Sequence, residues 1–268
     1  MIVHNFDPVL IDLGFFQIRW YSIAYILGII LGWVYAGKII RQTSKKHNLE
    51  LIDLKKFEDL IIYLIVGIVV GGRIGYVCFY NLEYYLKNLN EILMIWHGGM
   101  SFHGGLIGVI IAVLFFSKNK KINFFNTADI ICCVAPIGLF LGRIANFING
   151  ELFGKASSLP WSVVFPLGGN IGRHPSQIYE AILEGILLFI IINYLAIKKN
   201  LLIKTGYISC IFLILYSIFR IFSESFREPD YHLGYIFNYF SMGTLLSLLT
   251  LISGFIIIFF IKKNEQNN

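Results

Sequence analysis

The stretch "WYSIAYILGIILGWVYAGKII", Trp20 to Ile40, holds one charge, Lys38, near its end. A hydrocarbon core about 30 Å thick is crossed by roughly 20 apolar helical residues, which is the length of this run. It exceeds the h-region of a secretory signal, and it follows Asp7 and Asp12 rather than a basic cluster. It therefore reads as a first transmembrane helix that stays in the protein.

The rest of the chain has the same character. Hydrophobic residues fill 57% of 268 positions, charged residues fill 14%, and the mean hydropathy is +0.71, so most side chains cannot face water. No polar stretch is long enough for a soluble domain, and a single polytopic membrane domain is expected over residues 1–268. The fold class expected is an all-α integral membrane protein with seven transmembrane helices, at about 20–40, 58–80, 101–117, 127–147, 176–197, 206–226 and 235–261. Between the second and third spans, residues 81–100 are expected to include a helix along or dipping into the membrane. Residues 147–174, with Pro160 and Pro166, form the longest polar connection.

Basic residues follow the first, third, fifth and seventh spans, as Lys45 and Lys46, Lys120 and Lys121, Lys198 and Lys199, and Lys262 and Lys263. Those ends are expected to be cytoplasmic, which puts the N-terminus outside and the C-terminus inside. The net charge of +6 lies between apolar spans and forms no soluble patch, so no nucleic-acid partner is expected. Cys78, Cys132, Cys133 and Cys210 all fall in apolar segments, lack metal or disulfide spacing, and read as packing residues.

The cytoplasmic clusters are nearly all lysine, whereas Arg19, Arg73, Arg143, Arg173, Arg220 and Arg227 map to the outer half. Lysine suffices for topology; arginine offers a planar fork of donors matched to phosphate or carboxylate, and points to an anionic ligand. Arg19 and Arg173 also fit snorkelling anchors. An ionisable residue inside a span is a functional candidate by default. "GGRIGY" sets Arg73 among small residues that permit close helix approach. Arg143 and Asn146 lie three apart and share a face. In "RIFSESFREPD", Arg220, Glu224 and Arg227 follow at i, i+4 and i+7, with two arginines flanking one glutamate and leaving positive charge over. The plainer readings are an ion pair within the helix for Arg220 and Glu224, and interhelical hydrogen bonding for Asn146 and Asn149.

"WHGGMSFHGG", Trp96 to Gly105, supplies glycines for close backbone approach and two histidines that titrate near neutrality. His103, bracketed by glycines, is the candidate base, while His97 reads as structural. Ser101 lacks the surroundings of a nucleophile elbow. Tyr21 is placed to meet a headgroup, and Tyr25 belongs to an aromatic belt. In "RHPSQIYEA", Ser176, Tyr179 and Glu180 read as a helix start, with Pro175 setting its direction.

"GRIANFINGELFG", Gly142 to Gly154, resembles the signature of the bacterial prolipoprotein diacylglyceryl transferase family. The similarity continues through "FDPV", "WYSIAY", "GGRIGYV", "GGMSFHGGLIG", "PWSVVFP", "RHPSQIYEA", "FRIFSESFREPD" and "SMG". The resemblance implies a seven-span enzyme of the bacterial inner membrane. It would move the diacylglyceryl group of phosphatidylglycerol to the lipobox cysteine of a preprolipoprotein, without a cofactor or metal. It also implies that Arg143 and Arg220 meet the phospholipid headgroup, and that His103, Tyr21, Asn146, Glu151, Gly154 and Glu224 are catalytic or supporting residues. Thiol activation fits His103, with Glu151, Tyr21 or hydroxide as alternatives. The rival class is an anion or lipid transporter or binding scaffold. It is disfavoured because the cytoplasmic helix halves are nearly all Ile, Leu and Phe, Asp129 being the marked exception.

Overall fold

The computed structural model describes residues 2–14, 17–95, 98–229, 235–236 and 239–267, with the backbone alone at 102–103, 235–236 and 267. It is mostly helical. The helices are α1 (Trp20–His47), α2 (Leu54–Tyr80), α3 (Leu82–Lys87), α4 (Phe102–Lys120), α5 (Phe124–Ile148), α6 (Ser176–Lys198), α7 (Tyr207–Glu224) and α8 (Met242–Asn267). Among the described residues, six of them (α1, α2 and α5 to α8) are long and apolar enough to cross a membrane. The third expected span, 101–117, is occupied by the 19-residue α4.

Helix boundaries depart from the apolar runs for local reasons. α1 continues past Ile40 to His47, because Arg41, Lys45 and Lys46 are sound helix formers and the last basic turn complements the helix dipole. Asn48, with φ of 50°, then ends it. α2 is capped by Asp53, which accepts from the Lys55 N–H at 2.9 Å, and α4 by Ser101, which accepts from the Gly104 N–H at 3.1 Å. The last expected span, 235–261, begins only at Met242. Short strands β6 (Tyr235–Ile236) and β7 (Phe240–Ser241) pair before it, since an aromatic run suits a strand as well as a helix. α6 is not uniform, for residues 181–187 and 194–198 are wound as π-helix.

By contact the chain forms two compact units, Met1–Ile39 with Asp129–Asn268, and Ile40–Ala128. In the second, α2 and α4 interlock along glycines. A Cβ on Gly104 would lie 2.3 Å from the Gly71 carbonyl oxygen, and one on Gly108 would lie 2.0 Å from that of Gly67. Only glycine permits this approach, and it is how helices gain packing where lipid is as apolar as leucine. Arg73 of α2 donates to the carbonyls of Glu91, Ile92, Met94, Gly98 and Gly99, and its guanidinium lies over the Tyr85 ring. It fastens the connection 81–100, where α3 and a 3₁₀ turn at Leu89–Leu93 occupy the place of the expected short helix.

The first unit holds the small sheets. β1 (Ile2–Val3) runs parallel to β4 (Val163–Val164), which pairs antiparallel with β5 (Gly172–Arg173), while β2 (Val9–Asp12) and β3 (Gln17–Arg19) form a bulged hairpin. β4 and β5 lie in the 147–174 connection, which the sequence marks as polar, and β1 to β3 precede the first span. Asn193 of α6 donates to the Cys133 carbonyl of α5 at 2.9 Å, and Ser217 of α7 meets Thr250 of α8 at 2.6 Å. Asp129 has a structural use. Its carboxylate, buried on α5, accepts the backbone N–H groups of Gly206 and Ser209 and the Ser209 hydroxyl, and so caps α7 from a neighbouring helix. The four cysteines are free thiols, two of them fully buried.

Candidate active site

Two polar clusters meet at the C-terminal end of α5. The first is ionic. Arg143 reaches α6, with Nε 2.8 Å from Glu180 and Nη2 3.2 Å from Glu184. Arg220 of α7 reaches the same two carboxylates at 3.0 and 3.4 Å, and Glu224 one turn along its own helix at 2.5 Å. Arg227 stands 3.5 Å from Glu180 and 4.0 Å from Glu224. The plainer reading of Arg220 and Glu224, an ion pair within the helix, therefore holds as one edge of a network across three helices.

The expected helical stripe through Arg227 does not continue. α7 ends at Glu224, and Arg227 reaches the cluster from a bridge with Gly154 just beyond the helix. Nor does positive charge remain over within the cluster, because Arg143, Arg220 and Arg227 are matched by Glu180, Glu184 and Glu224. Of the two carboxylates on α6, Glu180 reads in the sequence as part of a helix start, and Glu184 falls within the apolar span 176–197. They are 1% and 0% exposed, the most deeply buried members of the network. One signal could have found them: acidic residues at i and i+4 within an apolar span meet the test applied to the arginines. Isolated buried charges of this kind would cost several kcal/mol each, so their pairing is what makes burial tolerable. Glu224 has further support, accepting from the Ser241 hydroxyl at 2.8 Å and packing against Gly243, where a Cβ would lie 2.3 Å from its Oε1.

The second cluster stands one turn further along α5. Tyr21 at the start of α1 donates to the Glu151 carboxylate at 2.6 Å, and buried Asn146 donates to the same oxygen at 2.9 Å and also to the Tyr21 hydroxyl. Tyr25 stacks on Tyr21. Glu151 is delivered by a tight turn in which Gly150 and Leu152 take φ of 65° and 56°. Three side chains brace that turn: Gln177 donates to the Glu151 carbonyl at 2.6 Å, Ser176 to that of Leu152 at 3.0 Å, and His4 sits 2.7 Å from that of Phe147. Ser176 thus ties α6 to the signature turn and does not cap its own helix. Asn149, whose plainer reading is interhelical hydrogen bonding, keeps its buried Oδ1 without a hydrogen-bond partner among the described residues.

Gly154 has a backbone role. Its N–H donates to the His174 carbonyl at 2.8 Å, and a Cβ would fall 2.5 Å from the Phe226 carbonyl and 2.7 Å from that of His174. Three strands of chain cross there without room for a side chain. Arg173 is also structural, donating to the carbonyls of Gly168 and Gly154 and to Glu228, with its guanidinium over Phe153. In the same connection the Trp161 indole donates to the Tyr179 hydroxyl, which lies 3.2 Å from His174 Nδ1. Burial, aided by the Lys155 charge, holds His174 below the usual histidine range.

Arg143, Arg220 and Glu224 thus share the ionic cluster, and Tyr21, Asn146 and Glu151 the second. His103 lies in the first turn of α4, in the other unit, and its side chain is outside the described residues, as is the whole of His97.

The family described as prolipoprotein diacylglyceryl transferase matches residues 8–260. The chain is similar to a protein of Rhodopseudomonas palustris, 48% identical over 94% of this chain and 88% of that protein, named phosphatidylglycerol–prolipoprotein diacylglyceryl transferase. Proteins of the same name from Rickettsia bellii and Rhizobium meliloti are 47% identical, over 99% and 90% of this chain and 98% and 87% of their own lengths.

Proposed function

The chain belongs to the prolipoprotein diacylglyceryl transferase family, and from that premise we propose how its residues carry the reaction. The enzyme transfers the diacylglyceryl group of phosphatidylglycerol to the thiol of a preprolipoprotein, in lipoprotein maturation. The acceptor is the lipobox cysteine, and the product left behind is glycerol phosphate. α4 is a seventh span, the N-terminus is outside the inner membrane of a bacterial cell, and the C-terminus is cytoplasmic. Both clusters then face the outer leaflet, where lipid headgroup and secreted peptide are available together.

The observation that carries this reading is the convergence of Arg143 and Arg220 on one buried carboxylate pair, one turn from Asn146 and Glu151. Two forked cations held in a low-dielectric site bind a phosphodiester and stabilise it further as it becomes a leaving group. The cysteine sulfur attacks the glycerol carbon that bears the phosphate oxygen; the carbon–sulfur bond forms as the carbon–oxygen bond breaks, and both electrons leave with the phosphate. A thiol with a pKa of about 8.5 must first lose its proton, and His103 is the proposed base. Tyr21, Asn146 and Glu151 orient the glycerol, Glu224 positions Arg220, and Gly154 keeps the crossing tight enough to hold Arg227 in place.

The test mixes purified protein, phosphatidylglycerol labelled in its acyl tails, and a lipobox peptide. Transfer of label to the cysteine, with release of glycerol phosphate, is expected. Folded protein that leaves the peptide unlabelled overturns the reading.

A further inference from the structure

The ionic cluster has no charge to spare for an anion. Its three guanidiniums face three carboxylates, all with side chains 15% exposed or less. Glu151, on the adjoining Tyr21–Asn146 cluster, adds a fourth carboxylate to this end of the unit. A phosphodiester monoanion entering here would leave net negative charge in a site largely removed from water. That is among the costliest arrangements in a protein interior, and a buried carboxylate responds by protonating.

We infer that Glu180 and Glu184 are charge-compensating positioning residues: when a phospholipid phosphate reaches Arg143 and Arg220, this pair takes up one proton from solvent. The inference rests on the headgroup reading of those arginines and deepens it. The pair is singled out by geometry. One turn apart on α6, the two carboxylates occupy donors of both arginines, so they compete directly with any incoming phosphate. Glu224 does not stand in that position, since it reaches Arg220 but not Arg143 and is held by Ser241 and Gly243.

The groups facing the pair set its charge balance. Arg143 comes from α5; Arg220, Tyr216 and Glu224 from α7; Arg227 from the bridge beyond α7; and each carboxylate faces the other along α6. Without lipid, the two carboxylates are paired with both arginines and keep the arginine forks aligned. With phosphate bound, the same cations are shared, repulsion within the pair grows, and one proton restores neutrality. Because the two sites interact, the proton belongs to the pair and not to one residue.

Calorimetric titration of the full-length protein with short-chain phosphatidylglycerol, in buffers of different ionisation enthalpy, counts protons directly. About one proton should be taken up per lipid bound, and affinity should fall about tenfold per pH unit on the alkaline side. Glu184→Gln or Glu180→Gln should bring the uptake close to zero and make affinity independent of pH. Wild-type protein that binds the lipid without proton uptake overturns the inference and leaves the headgroup reading intact. Uptake unchanged in both variants overturns it as well, assigning the proton elsewhere. Folded wild-type protein that does not bind phosphatidylglycerol at all overturns the headgroup reading itself. The wild-type proton count decides the matter even where a variant does not fold.

Discussion

Arg143 Nε lies 2.8 Å from Glu180 Oε2, joining the signature on α5 to a helix that begins 28 residues beyond the end of α5. The carboxylate orients the guanidinium plane, so what matters is the fork as well as the charge. Arg143→Lys keeps the charge and loses the fork, and should reduce kcat/KM for lipid transfer by about 100-fold or more, as removal of a transition-state donor does. Arg143→Ala should abolish transfer. Initial rates of label transfer, normalised to folded protein, check both; a lysine variant within a few-fold of wild type would mean that charge alone suffices.

Gly154→Ala places a methyl group on the Phe226 and His174 carbonyls. The crossing must open, and Arg227 moves with it. Activity should fall at least tenfold although Gly154 lends no side chain to the chemistry, and proteolysis of the 149–175 connection should quicken. Unaltered cleavage together with lost activity would instead point to a direct contact of Gly154 with substrate.

The glycine seam of α2 and α4 makes a prediction with an internal control. Gly104→Ala forces a Cβ to within 2.3 Å of the Gly71 oxygen and should cost about 1–3 kcal/mol through overpacking. Gly105→Ala, whose nearest such contact is 3.8 Å away, should leave stability unchanged or slightly raised, since alanine is the better helix former. Unfolding in detergent micelles distinguishes the two, and equal behaviour would show that the seam readily spreads.

Asp129→Ala removes the acceptor of three hydrogen bonds at the start of α7. A loss of about 1–3 kcal/mol in stability is expected from the donors left unsatisfied. Specific activity of the folded protein should stay at the wild-type level, because the cap lies at the end of α7 opposite Arg220. A fall in kcat without a fall in stability would give Asp129 a part in function that its hydrogen bonds do not explain.

The sequence by itself determined that this chain is a bundle of apolar helices. Runs such as Trp20–Ile40 have only one solvent in which they are stable, and length against bilayer thickness fixes the spans without reference to neighbours. It also marked Arg143, Asn146 and Arg220 as candidates, since a cation or amide in such a run is too costly to be incidental. What it did not disclose depends on partners distant along the chain. Glu180 reads as a helix start and Glu184 as one residue of an apolar span, whereas in the fold both are buried against two arginines from other helices. Arg73 reads as a ligand residue, but its donors lie on five carbonyls, and Arg227 reads as a member of a helical stripe that ends before reaching it. Apolar burial is a property of each residue with its solvent and can be read locally. Whether a buried charge holds a ligand, a loop or another charge depends on what packs against it, and only the tertiary structure decides that.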